Sequence, residues 1–288
     1  MKKLLILSGK GGTGKTTVAG AFIKLAQAKA YADCDVDAPN LHLIMNRSQQ
    51  PQRSDYFGLP IADIDPSKCV QCDLCRQNCR FDAIEKQDIY RVNKFACEGC
   101  GVCAAICPVK AITMLKHIAG EKQLYIGQES VFSTACLKMG SGTSGMLVSE
   151  VKKQLDVVKD EVDLAIIDGS PGIGCPVIAS ISGVDLVLVV AEPSITGISD
   201  MKRVIETSVK LEAKVAVCIN KYDTNLDNTA MILNYCETMH IPFTGKIPFD
   251  PKAVKAINDG MTIVDIDCPS GRAVKDVYDK TMRVFKDI

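Results

Sequence analysis

The stretch 9–17, GKGGTGKTT, decides the reading of this chain. Gly9, Gly14, Lys15 and Thr16 fill the fixed places of G-x-x-x-x-G-K-[ST]. The residues before it, KKLLILS at 2–8, are a short apolar run of the kind that forms a buried parallel strand. After it, Val18, Ala19, Phe22, Ile23, Leu25 and Ala26 recur at helical spacing and predict a helix over 17–29. A strand, a glycine loop and a helix N-terminus make a phosphate cradle: backbone N–H groups of Gly11, Gly12, Thr13, Gly14 and Thr17 close around the phosphates, aided by the helix dipole. Lys15 is expected at the β- and γ-phosphates and the Thr16 hydroxyl on Mg²⁺. The plainer alternative is a glycine-rich turn between strand and helix.

Lys10 has no structural purpose at the second place of such a loop, and alone it reads as a solvated charge. The KGGTGKT pattern resembles the deviant Walker P-loop ATPases: the MinD/ParA proteins, the Mrp-type iron–sulfur carriers and the nitrogenase iron protein. The resemblance implies an ATP-bound sandwich dimer, with itself or with a paralogue, in which Lys10 reaches the partner's nucleotide. Further along, DCDVDAPNLHL places Asp33, Asp35 and Asp37 at alternate positions. A solvated strand end explains three such acids, but ligands bind at strand ends beside a phosphate loop. The resemblance assigns Asp35 to the attacking water and the neighbourhood of Mg²⁺, with Asp33 and Asp37 as weaker candidates. VDLAII at 162–167 is a buried strand ending in Asp168, ahead of GSPGIGCP; an acid there bonds Mg²⁺-bound water or Thr16, or merely caps a helix. The resemblance also implies that Gly172 turns an N–H toward the γ-phosphate, that Asn220 bonds adenine, and that Pro248 flanks the base. The run Asn220-Lys221-Tyr222-Asp223 also matches NKxD, the guanine reader of small GTPases, so GTP is the competing nucleotide.

A second pattern carries different chemistry. Of fourteen cysteines, eight lie between residues 69 and 107, as Cys69-x-x-Cys72-x-x-Cys75-x-x-x-Cys79 and Cys97-x-x-Cys100-x-x-Cys103-x-x-x-Cys107-Pro108. Each cysteine of the second run follows its counterpart by 28 residues. The spacing resembles the bacterial two-cluster ferredoxin, in which the fourth cysteine of each run serves the other cluster. That implies one [4Fe–4S] cluster on Cys69, Cys72, Cys75 and Cys107, and another on Cys79, Cys97, Cys100 and Cys103. Zinc knuckles need only paired C-x-x-C, and a disulfide framework belongs to secreted chains. Arg80 departs from the ferredoxin pattern, which has proline there as at Pro108. Cys175 falls seven residues after Asp168, where the nitrogenase iron protein places a ligand of a dimer-spanning cluster. Cys136 is out of register for the other ligand, so small buried apolar groups are the competing reading; Cys34, Cys218, Cys236 and Cys268 read as core.

The remaining chain is consistent with an α/β, doubly wound, mainly parallel P-loop fold: strands at 28–36, 185–191, 213–219 and 241–247, helices over 141–155 and 271–288, and a polar linker at 46–60. We expect the ATPase domain in residues 1–58 and 118–288, with a small α+β ferredoxin-like domain inserted at 59–117. Hydrophobic residues make up 47% of the 288, enough for a large core. Zero net charge, no Trp and few aromatics argue against a nucleic-acid partner. LLIL is too short for a signal h-region and no apolar run approaches a membrane span, so a cytoplasmic protein is expected. The expected cofactors are ATP with Mg²⁺ and two [4Fe–4S] clusters, and the expected activity is Mg-dependent ATP hydrolysis coupled to electron transfer to an unidentified redox partner. An Mrp-type cluster carrier and a MinD/ParA-like positioning protein are the alternatives. The cobyrinic acid a,c-diamide synthase label borne by similar chains is doubtful, because no amidotransferase domain fits in this length.

Overall fold

The structure, a computed structural model, describes residues 1–45 and 50–288. The chain forms two compact units. The larger takes Met1–Arg53, Lys122–Cys136 and Gly145–Ile288; the smaller takes Ser54–Glu121 and Leu137–Ser144. In chain order the elements begin β1 (Lys2–Leu7), α1 (Lys15–Leu25), β2 (Ala30–Asp33), α2 (Leu41–Ile44) and β3 (Gln52–Phe57). Next come β4 (Ile61–Ile64), α3 (Leu74–Gln77), β5 (Ile84–Lys86), β6 (Tyr90–Val92), α4 (Val102–Ile106) and β7 (Ile112–Leu115). They continue with β8 (Ile118–Ile126), β9 (Val131–Leu137), α5 (Ser144–Gln154), β10 (Leu164–Asp168), α6 (Cys175–Ile181) and β11 (Leu186–Ala191). The last are α7 (Ile195–Lys210), β12 (Lys214–Asn220), α8 (Leu226–Thr238), β13 (Phe243–Ile247), α9 (Pro251–Asn258) and α10 (Pro269–Lys286).

The larger unit is built on a sheet in the order β13-β12-β11-β1-β10-β2-β9, and each of these neighbours is parallel. Parallel strands covered by helices on both faces must be apolar throughout, and Leu4 to Leu7 and the whole of β11 are indeed buried. The chain leaves β1 toward β2 on one side and returns through β10 to β11 on the other. This reversal of direction leaves a crevice at the carboxyl ends of the central strands, where a doubly wound sheet binds ligands. Phe22 of α1 meets Tyr278 of α10 edge to face, with ring centroids 5.2 Å apart. Val274, Val277 and Phe285 of α10 are buried in the same core, so its apolar face is spent on packing. Among the described residues no helix is long and apolar enough to cross a membrane.

Three expectations from sequence change. Residues 46–49 of the polar linker lie outside the described residues, but 52–57 form β3. Five of its six side chains are exposed, so no apolar alternation marks it in the sequence; Tyr56 alone is buried, its hydroxyl donating to the Thr143 carbonyl at 3.3 Å. The second strand stops at Asp33, because that carboxylate accepts the backbone N–H groups of Asp35, Asn40 and Leu41 and turns the chain. The stretch 125–136, for which sequence suggests no element, contains most of β9.

One buried cation ties two helices together. Lys152 of α5 is only 7% exposed, and its ammonium donates to the carbonyls of Ala179, Ser180 and Ser182 at the end of α6. Burial pulls its pKa down to about 8, while three carbonyls and the helix dipole hold the charge in place. Lys152→Met leaves those carbonyls without their donor and is expected to cost about 2–4 kcal/mol. A denaturant titration of the variant against the parent checks this.

The smaller unit is an internal repeat. β4 pairs antiparallel with β7, and β5 with β6. Left-handed backbone recurs 28 residues apart: Gln71 (φ 56) with Gly99 (φ 66), Asp73 (φ 65) with Gly101 (φ 75), Asp82 (φ 48) with Lys110 (φ 50). So do hydrogen bonds, from Cys69 N to Asp65 O and from Cys97 N to Asn93 O, both 3.1 Å. The first half bears side chains where the second has glycine, at a cost of roughly 1–2 kcal/mol per left-handed residue. Gln71→Gly is therefore expected to be neutral or stabilising by up to about 1 kcal/mol, relieved strain being partly offset by the looser unfolded chain. Gly99→Ala is expected to cost about 2 kcal/mol or more, because its Cβ would lie 2.5 Å from the Pro60 carbonyl oxygen. Denaturation midpoints of the two variants test this contrast.

Candidate functional site

The loop 9–14 leaves β1 and ends at Gly14 (φ 90), the residue before the first turn of α1. A Cβ placed on Gly11 or Gly12 would meet nothing within 4 Å, so their inner face borders open space. A Cβ on Gly14 would lie 2.2 Å from Asn220 Nδ2, so that position has room for glycine alone. Thr13 Oγ1 is buried and has no hydrogen-bond partner among the described residues. Lys15 is buried, with its ammonium on the Asp168 carboxylate, and Thr16 Oγ1 donates to Asp168 Oδ2 at 2.6 Å. Strand register brings these groups together: Asp168 of β10 lies beside Ile6 of β1 on one side and Asp33 of β2 on the other. A hydroxyl and carboxylates at the mouth of a glycine cradle form a hard oxygen donor set that suits Mg²⁺.

Asp35 is half-buried, and burial holds its carboxyl above the ordinary value. Asp33 is fully buried; burial first, and then the charge of Asp168, raise its carboxyl despite its N–H donors. Asp33 thus shapes the loop that carries Asp35. Gly172 (φ 99) gives its N–H to the Ser8 carbonyl at 3.2 Å, and Ser170 Oγ donates to the Cys34 carbonyl.

Lys10 lies within reach of its own chain. Its ammonium bonds Ser194 Oγ at 3.0 Å and pairs with Glu192 Oε2 at 3.1 Å. Lys221 donates to the Gly12 carbonyl at 2.8 Å and stands 3.6 Å from Glu192 Oε1. The sequence reading did not find Glu192, Ser194 and Lys221; the signal for the first two is their place just past the carboxyl end of β11. Asn220, expected on the base, donates to the Thr13 carbonyl at 2.7 Å. Pro248 follows β13, and the next residue, Phe249, gives its N–H to Asp223 Oδ1 at 2.7 Å. A cavity of about 930 Å³ lies elsewhere, beside Gln27, Tyr31, Gln128 and Glu161 at the starts of β2 and β9, away from the phosphate loop.

In the smaller unit the eight cysteines ring two separate cavities. Cys69, Cys72, Cys75 and Cys107 line one, with Ile64, Tyr90 and Ile112. Cys79, Cys97, Cys100 and Cys103 line the other, with Ala62, Phe81 and Met114. Each cavity therefore draws three cysteines from one half of the repeat and one from the other. Among the described residues no group of three Cys, His, Asp or Glu closes on a point as a single ion requires. Four thiols around each cavity are the donor set that a [4Fe–4S] cluster takes. Backbone N–H groups already point at sulfur: Ala83 at Cys79 Sγ (3.4 Å) and Ala111 at Cys107 Sγ (3.2 Å). Burial raises the Cys75 and Cys103 thiols, and nearby cysteines add to it. In the first cavity's loop, Asp73 accepts from Arg76 Nε (2.7 Å) and Nη2 (2.6 Å) and from the Tyr90 hydroxyl (2.6 Å); Arg76 and Tyr90 hold that carboxyl well below the ordinary range.

Cys34, Cys218, Cys236 and Cys268 are buried as expected, whereas Cys136 and Cys175 are exposed.

The chain resembles known proteins along nearly its whole length. An uncharacterized protein of Methanocaldococcus jannaschii is 32% identical over 96% of this chain and 95% of its own. An iron–sulfur cluster carrier protein of Pyrococcus furiosus is 25% identical over 99% of this chain and 87% of its own. An uncharacterized ferredoxin of M. jannaschii is 34% identical over 33% of this chain and 64% of its own. Among solved structures, the cell division ATPase MinD of P. furiosus superposes with a TM-score of 0.59 at 17% identity, over 98% of this chain and 99% of that one. The CobQ/CobB/MinD/ParA nucleotide binding domain matches residues 4–263. With that match across most of its length, its MinD-like sheet and its glycine loop, the chain belongs to the CobQ/CobB/MinD/ParA family of P-loop ATPases.

Proposed function

We propose that this protein couples ATP to electron transfer: nucleotide closes a dimer, and the change of shape gates the passage of electrons through two [4Fe–4S] clusters to a partner protein. One observation carries the reading: a single chain holds both a phosphate loop beside a paired Lys15 and Asp168 and two cysteine-ringed cavities in ferredoxin register. Each contact at the loop has an exchange partner. With nucleotide bound, Lys15 would trade Asp168 for the β- and γ-phosphates, and Thr16 and Asp168 would hold Mg²⁺. Bound Mg²⁺ supplies charge neutralisation at the phosphate oxygens. Gly172 gives up the Ser8 carbonyl to reach the γ-phosphate, and Lys10 leaves Glu192 and Ser194 for the nucleotide of the other protomer. Asp35 orients the attacking water; its raised carboxyl suits a group that holds a water proton. Gly11, Gly12, Thr13, Gly14 and Thr17 contribute the cradle, with Asn220 and Pro248 at the base.

ATP is favoured over GTP because the Asp223 carboxylate, which would have to face guanine, accepts the Phe249 N–H. The clusters, when bound, carry single electrons, and the chain's part is to fix them with four thiolates each and shield them with apolar side chains.

The test is anaerobic. The midpoint potentials of the two clusters and the rate of reduction of a small acceptor are measured with Mg²⁺ and a non-hydrolysable ATP analogue, and without. A nucleotide-dependent change is expected, and its absence overturns the coupling. The relative named as an iron–sulfur cluster carrier supports a second reading, in which the clusters are cargo. Iron passing to an apo-protein during ATP turnover favours that reading; clusters that stay on the chain favour electron transfer.

A further inference from the structure

The chain crosses between its two units in four places, after Arg53, Glu121, Cys136 and Ser144. The last crossing differs from the rest, because the helix beyond it abuts the loop that senses phosphate. α6 begins at Cys175, directly after the Asp168–Gly174 stretch whose Gly172 holds the Ser8 carbonyl. The first turn of α5 rests on that start: a Cβ on Gly145 would lie 3.1 Å from the Cys175 carbonyl oxygen and 3.2 Å from Cys175 Cβ. At the far end Lys152 of α5 holds the last carbonyls of α6. Two ties, one at each end of α6, leave the pair little freedom to slide.

Upstream of α5 the chain is the segment Leu137–Ser144, which packs with the smaller unit. Its residues 140–143 line a small cavity together with Lys94, Cys97 and Glu98. A Cβ on Gly142 would lie 3.1 Å from Glu98 Oε2, and one on Gly140 would lie 3.5 Å from the ring of Phe95. Lys138 N donates to the Ala119 carbonyl at 2.8 Å, and Ser141 N to the Lys138 carbonyl at 3.1 Å, so the segment is fixed, not loose. The neighbouring cysteine, Cys97, belongs to the second quartet. The segment lines neither quartet's cavity directly, but the small cavity it does line shares Cys97 and Glu98 with the second quartet's cavity and no residue with the first.

The geometry points to a one-sided linkage, which rests on the coupling reading above: α5 and α6 move as one body when Gly172 exchanges Ser8 for phosphate, and α5 draws on the segment 137–144 beside Cys97. The cluster on Cys79, Cys97, Cys100 and Cys103 is then the one that responds to nucleotide. The cluster on Cys69, Cys72, Cys75 and Cys107 is insulated, its loop clamped by Asp73, Arg76 and Tyr90.

Amide hydrogen exchange on the anaerobic holoprotein reads the linkage without any catalytic assay. Adding Mg²⁺ and a non-hydrolysable ATP analogue is expected to change exchange in 137–144. Lys152→Met is expected to abolish that change while nucleotide still binds. A second variant covers the case in which Lys152→Met folds poorly: two glycines inserted between Gly140 and Ser141 add about 7 Å of slack without touching either unit's core. It too is expected to lose the response. In parallel, Cys107→Ser and Cys79→Ser each leave one intact quartet. The nucleotide-dependent potential shift is expected to persist in Cys107→Ser and vanish in Cys79→Ser. If nucleotide shifts neither cluster in the parent protein, the coupling reading fails. If it shifts them but the shift follows the first cluster, or survives the inserted glycines unchanged, the linkage alone is overturned.

Discussion

Lys10→Ala is expected to lower ATP hydrolysis by about a thousandfold or more while nucleotide affinity of the single chain stays within a few-fold. The size follows from the role. A cation supplied across an interface to a phosphoryl-transfer transition state contributes about 10³–10⁵ in rate. Binding is expected to change little because, on the proposed reading, Lys15, Thr16 and the loop amides hold the phosphates without Lys10. In the single chain the Lys10 ammonium is already partnered by Glu192 and Ser194. This pair is about a third exposed on the lysine side, so breaking it costs little, and the proposed ATP-bound dimer would have little to repay. Glu192→Gln should therefore ease assembly without supplying a catalytic group. Hydrolysis measured across protein concentration, alongside nucleotide binding by titration, separates the two effects. Loss of affinity in Lys10→Ala with unchanged turnover per bound nucleotide would show that the lysine serves its own chain's site.

The second large effect concerns iron. Cys107→Ser is expected to remove the cluster whose other three ligands are Cys69, Cys72 and Cys75, although Cys107 lies 32 residues after Cys75 and in the other half of the repeat. Cys79→Ser is expected to strike the cluster of Cys97, Cys100 and Cys103. Each variant should fall from about eight irons per chain to about four, with a distinct residual spectrum. Ligation within each half would give the opposite pairing: Cys107→Ser would spare the Cys69 quartet. Iron and sulfide analysis, with resonance spectra of the reduced variants, discriminates between the pairings.

How far the sequence led depended on the range of the interactions involved. β1, β10, β11 and β12 are continuous apolar runs, and the glycine loop and cysteine repeat are local words with fixed spacing, so each was legible by itself. The register that sets Asp168 between Ile6 and Asp33 follows from parallel pairing once those strands are placed. What escaped was made by partners far apart in sequence. Lys152 reads as an ordinary surface lysine until α6 ends beside it. Asp33 read as one of the two weaker candidates among three acids, because its three N–H donors come from a turn that it creates itself. β3 is polar and nearly all exposed, so the pattern that marks a buried strand is missing. The segment 137–144 folds with a unit that the chain had already left, and composition carries no sign of such a return.

The mixed lining of the two cavities bears on descent. Neither half of the 28-residue repeat encloses a cavity from its own residues; each needs the tail of the other to close it. If the two halves arose by duplication, a lone half would close such a cavity only by pairing with a second copy of itself. The halves now differ at these turns, with glycine at 99 and 101 where the first half has Gln71 and Asp73 in the same left-handed backbone.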